Sequence, residues 1–263
     1  MKLLRFYILM SFAFLLVSCE DLIEVDLNSA NPKIVIEADL NDLSNKQMIR
    51  VSRTVDFGAP ISSEAITGAK VTVADSKGRL FEFVDKGEGL YVKEGFKPVA
   101  GLSYNLTVNV EEGVYQSSTK MDVFVPVDSI AIKEETLFSK TYYSVVLKFD
   151  DPKDIPNYYK YDIAINGKGF KFASAYSDKF NDGLYVSHQI TDRDNSIELG
   201  DSVVVRRQCV AKEVYTYWND IQMLNPGSAA PANPTSNISN GALGYFSVSS
   251  AKEYGLRVVK ESN

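Results

Sequence analysis

Apolar and polar residues trade places with a period of two through most of this chain, and that period belongs to strands, whose successive side chains point to opposite faces of a sheet. In Ser103 to Val110, the residues Tyr104, Leu106, Val108 and Val110 fall on one face. Glu111-Glu112-Gly113 follows, and a second run, Val114 to Met121, leads away from it. Two such runs joined by so short a turn predict a hairpin. Lys33 to Leu40, Met48 to Arg53, Lys70 to Asp75 and Leu80 to Val84 have the same strand character, punctuated by Ser76-Lys77-Gly78 and Asp85-Lys86-Gly87-Glu88-Gly89. About seven strands in roughly 90 residues, with no amphipathic helix among them, predict an immunoglobulin-like or transthyretin-like β-sandwich over residues 32–125.

Val123-Phe124-Val125-Pro126-Val127-Asp128 closes that block, because Pro126 restricts the backbone and Ser129 to Lys133 begins a new strand. Residues 126–263 predict a second, larger β domain with strands at Tyr142 to Phe149, Tyr158 to Ile165, Phe170 to Ala175, Asp201 to Val210, Tyr245 to Ser249 and Tyr254 to Val259. Asn166-Gly167-Lys168-Gly169 is a hairpin turn by composition. Between residues 211 and 224 the period lengthens. Val214, Tyr217, Trp218, Ile221 and Leu224 recur at helical spacing, and Asn225-Pro226-Gly227 ends the run, so one inserted helix is expected there. Residues 225–241, with Pro226, Pro231 and Pro234, predict a long irregular loop. The expected fold class is all-β, with two sandwich-type domains.

The N-terminus carries an address. Lys2 and Arg5 precede an apolar run, Phe6 to Val17, broken by Ser11 and too short to span a bilayer as a helix of about 20 residues. Leu16-Val17-Ser18-Cys19 then matches the lipobox of bacterial lipoproteins, in which the Cys thiol is lipidated and becomes the new N-terminus. Residues 1–18 are therefore read as a lipoprotein signal peptide, residues 19–31 as a tether, and the outer membrane as the first partner, held through lipid on Cys19. Several acyl chains on one residue anchor firmly, since each buried methylene contributes about 0.8 kcal/mol. Glu20 and Asp21, directly after the lipidated residue, resemble a surface-export signal, so a position on the cell surface is expected, with an inner-leaflet periplasmic lipoprotein on a polar tether as the alternative.

Chemistry is sparse by comparison. The 28 Lys and Arg against 34 Asp and Glu give a net charge of -6 with no basic cluster, which excludes nucleic acid as a partner. One His and two Cys are too few for a structural zinc centre. His188, in Tyr185-Val186-Ser187-His188-Gln189, is accompanied by no Gly-x-Ser-x-Gly elbow and reads as a strand residue. No catalytic residue is assigned, and a non-catalytic protein is expected. Asp178, Asp182 and Gly183 imitate the opening of a calcium loop, but Phe180 occupies a ligand position and no glutamate closes it. Asp192, Asp194 and Ser196 fail likewise, with Ile197 where such a loop needs glycine. Turn formation accounts for these aspartates, and neither a metal nor another cofactor is assigned. Cys209 reads as a small buried hydrophobe, without a disulfide partner once Cys19 is acylated. Aromatic residues remain. Tyr215, Tyr217 and Trp218, with Asn237, Tyr245 and Phe246 beyond the long loop, are the candidate contact residues for a glycan, peptide or protein.

Several stretches carry a family likeness. They are Ser18-Cys19-Glu20 with the strand Pro32 to Glu37; Thr67-Gly68-Ala69-Lys70-Val71 with Asp75-Ser76-Lys77-Gly78; Gly89-Leu90-Tyr91; Asp151-Pro152 with Asn157-Tyr158-Tyr159; and Pro234 to Phe246. On these the chain resembles the Bacteroidota lipoprotein family catalogued as domain of unknown function 4249 (DUF4249), over nearly all of its mature length. That resemblance supplies no established catalytic or ligand residues. It implies an outer-membrane lipoprotein of the kind often encoded beside TonB-dependent transporters, with an accessory role in nutrient capture or receptor assembly. An independent surface adhesin or polymer-binding lipoprotein without a transporter is the alternative.

Overall fold

The period-two runs form strands, and their apolar faces meet in two hydrophobic cores. A computed structural model describes residues 32–55, 60–61, 63–192, 194, 196–224 and 233–259. The signal peptide, Cys19, Glu20, Asp21 and the tether lie outside these residues, as do residues 225–232 of the long loop. The elements are β1 (Ile34–Asn41), β2 (Lys46–Arg53), β3 (Glu64–Ala65), β4 (Lys70–Asp75), β5 (Leu80–Asp85), β6 (Leu90–Glu94), β7 (Ser103–Val110) and β8 (Gly113–Lys120), then β9 (Ser129–Leu137), β10 (Lys140–Asp150), β11 (Tyr158–Ile165), β12 (Lys171–Ser177), β13 (Tyr185–Ile190), β14 (Ser202–Cys209), the helix α1 (Lys212–Met223) and β15 (Leu243–Arg257). The all-β reading holds, with α1 as the one helix among the described residues.

One large sheet runs β12-β11-β14-β15-β1-β2-β6-β5-β4-β7-β8, with β3 alongside β2. Between β5 and β6 only two residue pairs are formed, Val84 with Val92 and Asp85 with Tyr91, and there the sheet turns over on itself. Its two arms enclose the first core, which includes Ile36, Leu40, Ile49, Val73, Tyr91 and Leu106. Burial of such side chains contributes about 1.5–3 kcal/mol each. A separate sheet, β13-β10-β9, covers the β12-β11-β14-β15 end and encloses the second core around Leu147, Phe149, Tyr161, Val203 and Val205. Strands β10 and β11, neighbours in sequence across Asp151-Pro152, thus belong to opposite layers of a sandwich.

Tyr245 to Ser249 and Tyr254 to Val259 were expected as two strands, and the structure joins them. β15 is one strand of 15 residues. Its first half pairs in parallel with β1, from Val35 with Leu243 to Asn41 with Ser249. Its second half pairs antiparallel with β14, from Cys209 with Ser250 to Ser202 with Arg257. The Ser250-Ala251-Lys252-Glu253 stretch lacks an apolar face, but its backbone is held by the β14 ladder, so the strand continues through it.

Both ends of the large sheet are covered, which blocks edge-to-edge association. At β12 the Ala175 N–H donates to Gln222 Oε1 of α1 at 2.7 Å. At β8 the described end of the long loop lies alongside. Gln116 N–H donates to Ser239 Oγ, Ser239 N–H to the Gln116 carbonyl, both at 2.8 Å, and Ser117 Oγ to the Asn237 carbonyl at 2.7 Å. Ile238 and Ala242 enter the first core from this segment.

Candidate functional site

Where the two cores meet, side chains from three strands and the helix converge on one ammonium group. Lys160 and Asp162 share a face of β11, being two residues apart on a strand. Lys160 Nζ lies 2.7 Å from Asp162 Oδ2, 3.2 Å from Asp39 Oδ2 of β1 and 2.9 Å from Gln208 Oε1 of β14. The Gln208 amide donates in turn to Asp39 Oδ1 at 2.8 Å and to Ser249 Oγ of β15 at 3.0 Å. The ammonium also sits 4.8 Å from the centre of the Trp218 ring on α1. Burial alone would lower the Lys160 pKa, but Asp39 and Asp162 outweigh it and hold it above its ordinary value. Asp162 is pushed up by burial, with Lys160 pulling the other way.

A cleft of about 790 Å³ meets this junction at Asp39. Its walls include Glu37, Asp39, Lys46, Arg50, Arg206 and Tyr245. Charges of both signs therefore line a concave surface. Arg206 is oriented by Glu253, 2.8 Å away, and by the Phe170 ring, 3.8 Å from its guanidinium carbon.

The aromatic residues singled out from the sequence divide. Tyr217, Trp218 and Tyr245 form one cluster, with ring centres 4.8 Å apart for Tyr217 and Tyr245 and 5.2 Å for Trp218 and Tyr245. Tyr215 stacks beside it on Tyr158 at 5.1 Å. Trp218 also lies against Phe172 at 4.5 Å and borders a second hollow of about 320 Å³ with Asp192 and Asp194. Asn237 and Phe246 lie apart from this cluster, and Phe246 must be corrected as a contact residue. The Phe246 side chain is fully buried in the first core. Asn237 clamps the Phe246 backbone from both sides, its amide donating to the carbonyl at 2.8 Å and its oxygen accepting from the N–H at 2.9 Å. Both positions hold the entry of β15 in place.

His188 and Cys209 are core residues. His188 stacks on Tyr176 at 4.1 Å, is bonded through Nδ1 to the Tyr161 hydroxyl at 2.8 Å, and is pushed down to about 3 by burial and by Arg207. Arg207 is itself fully buried among Phe149, Tyr159 and Phe124. The Cys209 thiol is free, buried and accepts the Val125 N–H at 3.4 Å. Asp192 binds the Ser196 N–H and hydroxyl at 2.7 and 2.6 Å, the turn geometry expected of it.

Residues 20–254 match the model of a family described as a domain of unknown function, DUF4249. The chain belongs to the DUF4249 family. No curated protein matches it. In this DUF4249 chain the sequence reading missed the Lys160 junction. Lys160 and Asp162 at strand spacing between tyrosines were the available signal; Asp39, 121 residues away, gave none. It also missed the tip of the β9–β10 hairpin, where Leu137 and Phe138 are exposed.

Proposed function

We propose that this DUF4249 chain is a lipid-anchored, non-catalytic binding subunit of the outer membrane, exposed at the cell surface and working beside a TonB-dependent nutrient transporter. The observation that carries the reading is the export signal ending in Leu16-Val17-Ser18-Cys19, followed by Glu20 and Asp21. Such a signal delivers the β body to a membrane without a spanning segment, and no helix among the described residues is long and apolar enough to cross one. The cleft that meets the Lys160 junction at Asp39 supports a binding role. Its fixed charges of both signs, with Tyr245 as an aromatic wall, suit a polar ligand such as a peptide or a glycan. Exposed Leu137 and Phe138 at a hairpin tip suit contact with a partner protein.

A mild-detergent pull-down of the tagged lipoprotein from its host's membranes, read by mass spectrometry, tests the proposal, with Cys19→Ala as the control that loses the anchor. Stoichiometric recovery of a TonB-dependent transporter with the wild type is expected. Recovery of the lipoprotein alone, still membrane-bound, would replace the accessory reading with that of an independent surface adhesin.

A further inference from the structure

Away from the cleft, the loop that links the two layers of the second sandwich brings three carboxylates together. Asp151 leaves β10, and Asp178 and Asp182 lie in the turn between β12 and β13; one oxygen from each falls within 4.8 Å of the others. The two loops are laced to each other by backbone bonds. Asp178 N–H donates to the Asn157 carbonyl at 3.1 Å and Asp151 N–H to the Leu184 carbonyl at 2.9 Å. Each carboxylate engages one oxygen with a protein donor. Asp151 Oδ1 accepts the Tyr159 hydroxyl at 2.5 Å, Asp178 Oδ2 the Asn157 N–H at 2.6 Å, and Asp182 Oδ1 the Asp154 N–H at 2.9 Å.

The other oxygen of Asp151 decides the matter. Asp151 is only 5% exposed, yet its Oδ2 is buried with no hydrogen-bond partner. A buried carboxylate oxygen without a partner is rare and costly, and with an oxygen from each of two further carboxylates within 4.8 Å of an Asp151 oxygen the group calls for a positive charge. Among the described residues, no lysine or arginine supplies one, since none pairs with any of the three aspartates. Of the basic residues in these loops, Lys153 packs the base of its side chain beside Gly183, and the Lys179 ammonium lies 5.3 Å from the centre of the Phe180 ring. Burial raises the Asp151 pKa, the Tyr159 hydroxyl opposes this, and the negative charge of Asp178 adds to it.

We infer that Asp151, Asp178 and Asp182 form a calcium-binding site that ties the β10–β11 loop to the β12–β13 turn. All three ligands are hard oxygen donors with no imidazole or thiolate among them, which favours Ca²⁺ or Mg²⁺ over zinc or copper. Two irregular loops, one open to solvent at Asp182, suit the flexible coordination of calcium better than the strict octahedron of magnesium. The inference is independent of the accessory role and of the lipid anchor. The sequence hid the site because Asp151 comes from a different loop, and neither loop has EF-hand spacing.

The test is calcium titration of the mature lipoprotein in mild detergent after chelator treatment, by calorimetry and by thermal unfolding. Saturable binding of one Ca²⁺, with a Kd in the extracellular-module range of roughly 10⁻⁴–10⁻³ M, and a rise in Tm are expected. The exposed position makes Asp182→Asn the informative variant, since it leaves the core untouched; it should weaken binding about tenfold or more. Terbium luminescence sensitised by Tyr159, displaced by calcium and lost in Asp182→Asn, places the ion at this site even if Asp151→Asn fails to fold. Absence of saturable binding up to about 10 mM calcium, an affinity unchanged in Asp182→Asn, or equally tight magnesium binding would each overturn the assignment.

Discussion

The hydroxyl of Tyr161 lies between a donor, Arg207, and a ring nitrogen of His188, so the direction of its one proton is set. Arg207 Nε donates to that oxygen at 3.1 Å, so the Tyr161 proton turns to His188, and Nδ1 of the imidazole must be the acceptor. The hydrogen bond thus fixes the neutral Nε2–H tautomer. Protonating His188 would place a second hydrogen against Tyr161 beside a buried guanidinium, which is why burial and Arg207 together drive its pKa to about 3. The sign of the pH effect follows. Between the unfolded pKa near 6.5 and the folded value, only the unfolded chain takes up this proton, so stability falls as pH drops through that window. At about pH 4.5 the loss from this residue amounts to roughly 2–3 kcal/mol. His188→Phe keeps the stack on Tyr176 but strands the Tyr161 hydroxyl, costing about 1–3 kcal/mol at neutral pH. Thermal unfolding across the acid range should therefore show the gap between wild type and His188→Phe closing toward pH 4.5. A gap that stayed constant would mean that His188 does not titrate as its surroundings require.

Strand β15 shows the same dependence on one close contact at the scale of an element. Gly244 has φ +90, and a Cβ there would overlap the Ile36 carbonyl of β1, the strand with which β15 pairs in parallel. Gly241, three residues earlier at φ +71, has open space around it. Gly244→Ala should cost roughly 3 kcal/mol or more, combining the left-handed backbone with a clash that parts two strands. Gly241→Ala should cost only the backbone share, about 1–2 kcal/mol. Urea unfolding of the two variants separates the contributions, and equal losses would mean that the β1–β15 contact yields to an added methyl group without cost. Most strands were legible because one face of each is buried and the period of two survives in the sequence, as in β7 with Tyr104, Leu106 and Val108. The helix was legible from its change of period. β15 was legible only in its two apolar halves. Its middle, Ser250 to Glu253, is fixed by β14, and its first half pairs with β1 some 200 residues away, so nothing local records the joining. The candidate site divides in the same way: Tyr217, Trp218 and Tyr245 could be read, whereas Asp39 beneath Lys160 and Asp151 beside Asp178 could not.

Because β15 serves β1 with one half and β14 with the other, the two cores share a strand, and the Lys160 junction is where side chains repeat that link. Asp39 belongs to the first sandwich, and Lys160, Asp162 and Gln208 to the second. Lys160→Met removes the ammonium and leaves Asp162 buried and uncompensated, which should cost about 3–5 kcal/mol. Adding Asp162→Leu removes the stranded charge, and since buried pairs replaced by apolar residues are often neutral in stability, the double variant should recover much of that loss. The location of the pair sets the form of the transition. Trp218, the one tryptophan in the chain, lies beside Lys160 and reports on the junction, while circular dichroism reports on all strands. If the shared strand couples the cores, both signals move together in urea, in the wild type and in Lys160→Met alike, at a lowered midpoint in the variant. Fluorescence that shifts ahead of circular dichroism in Lys160→Met would mean that the second core unfolds by itself, and that β15 joins the two without coupling them.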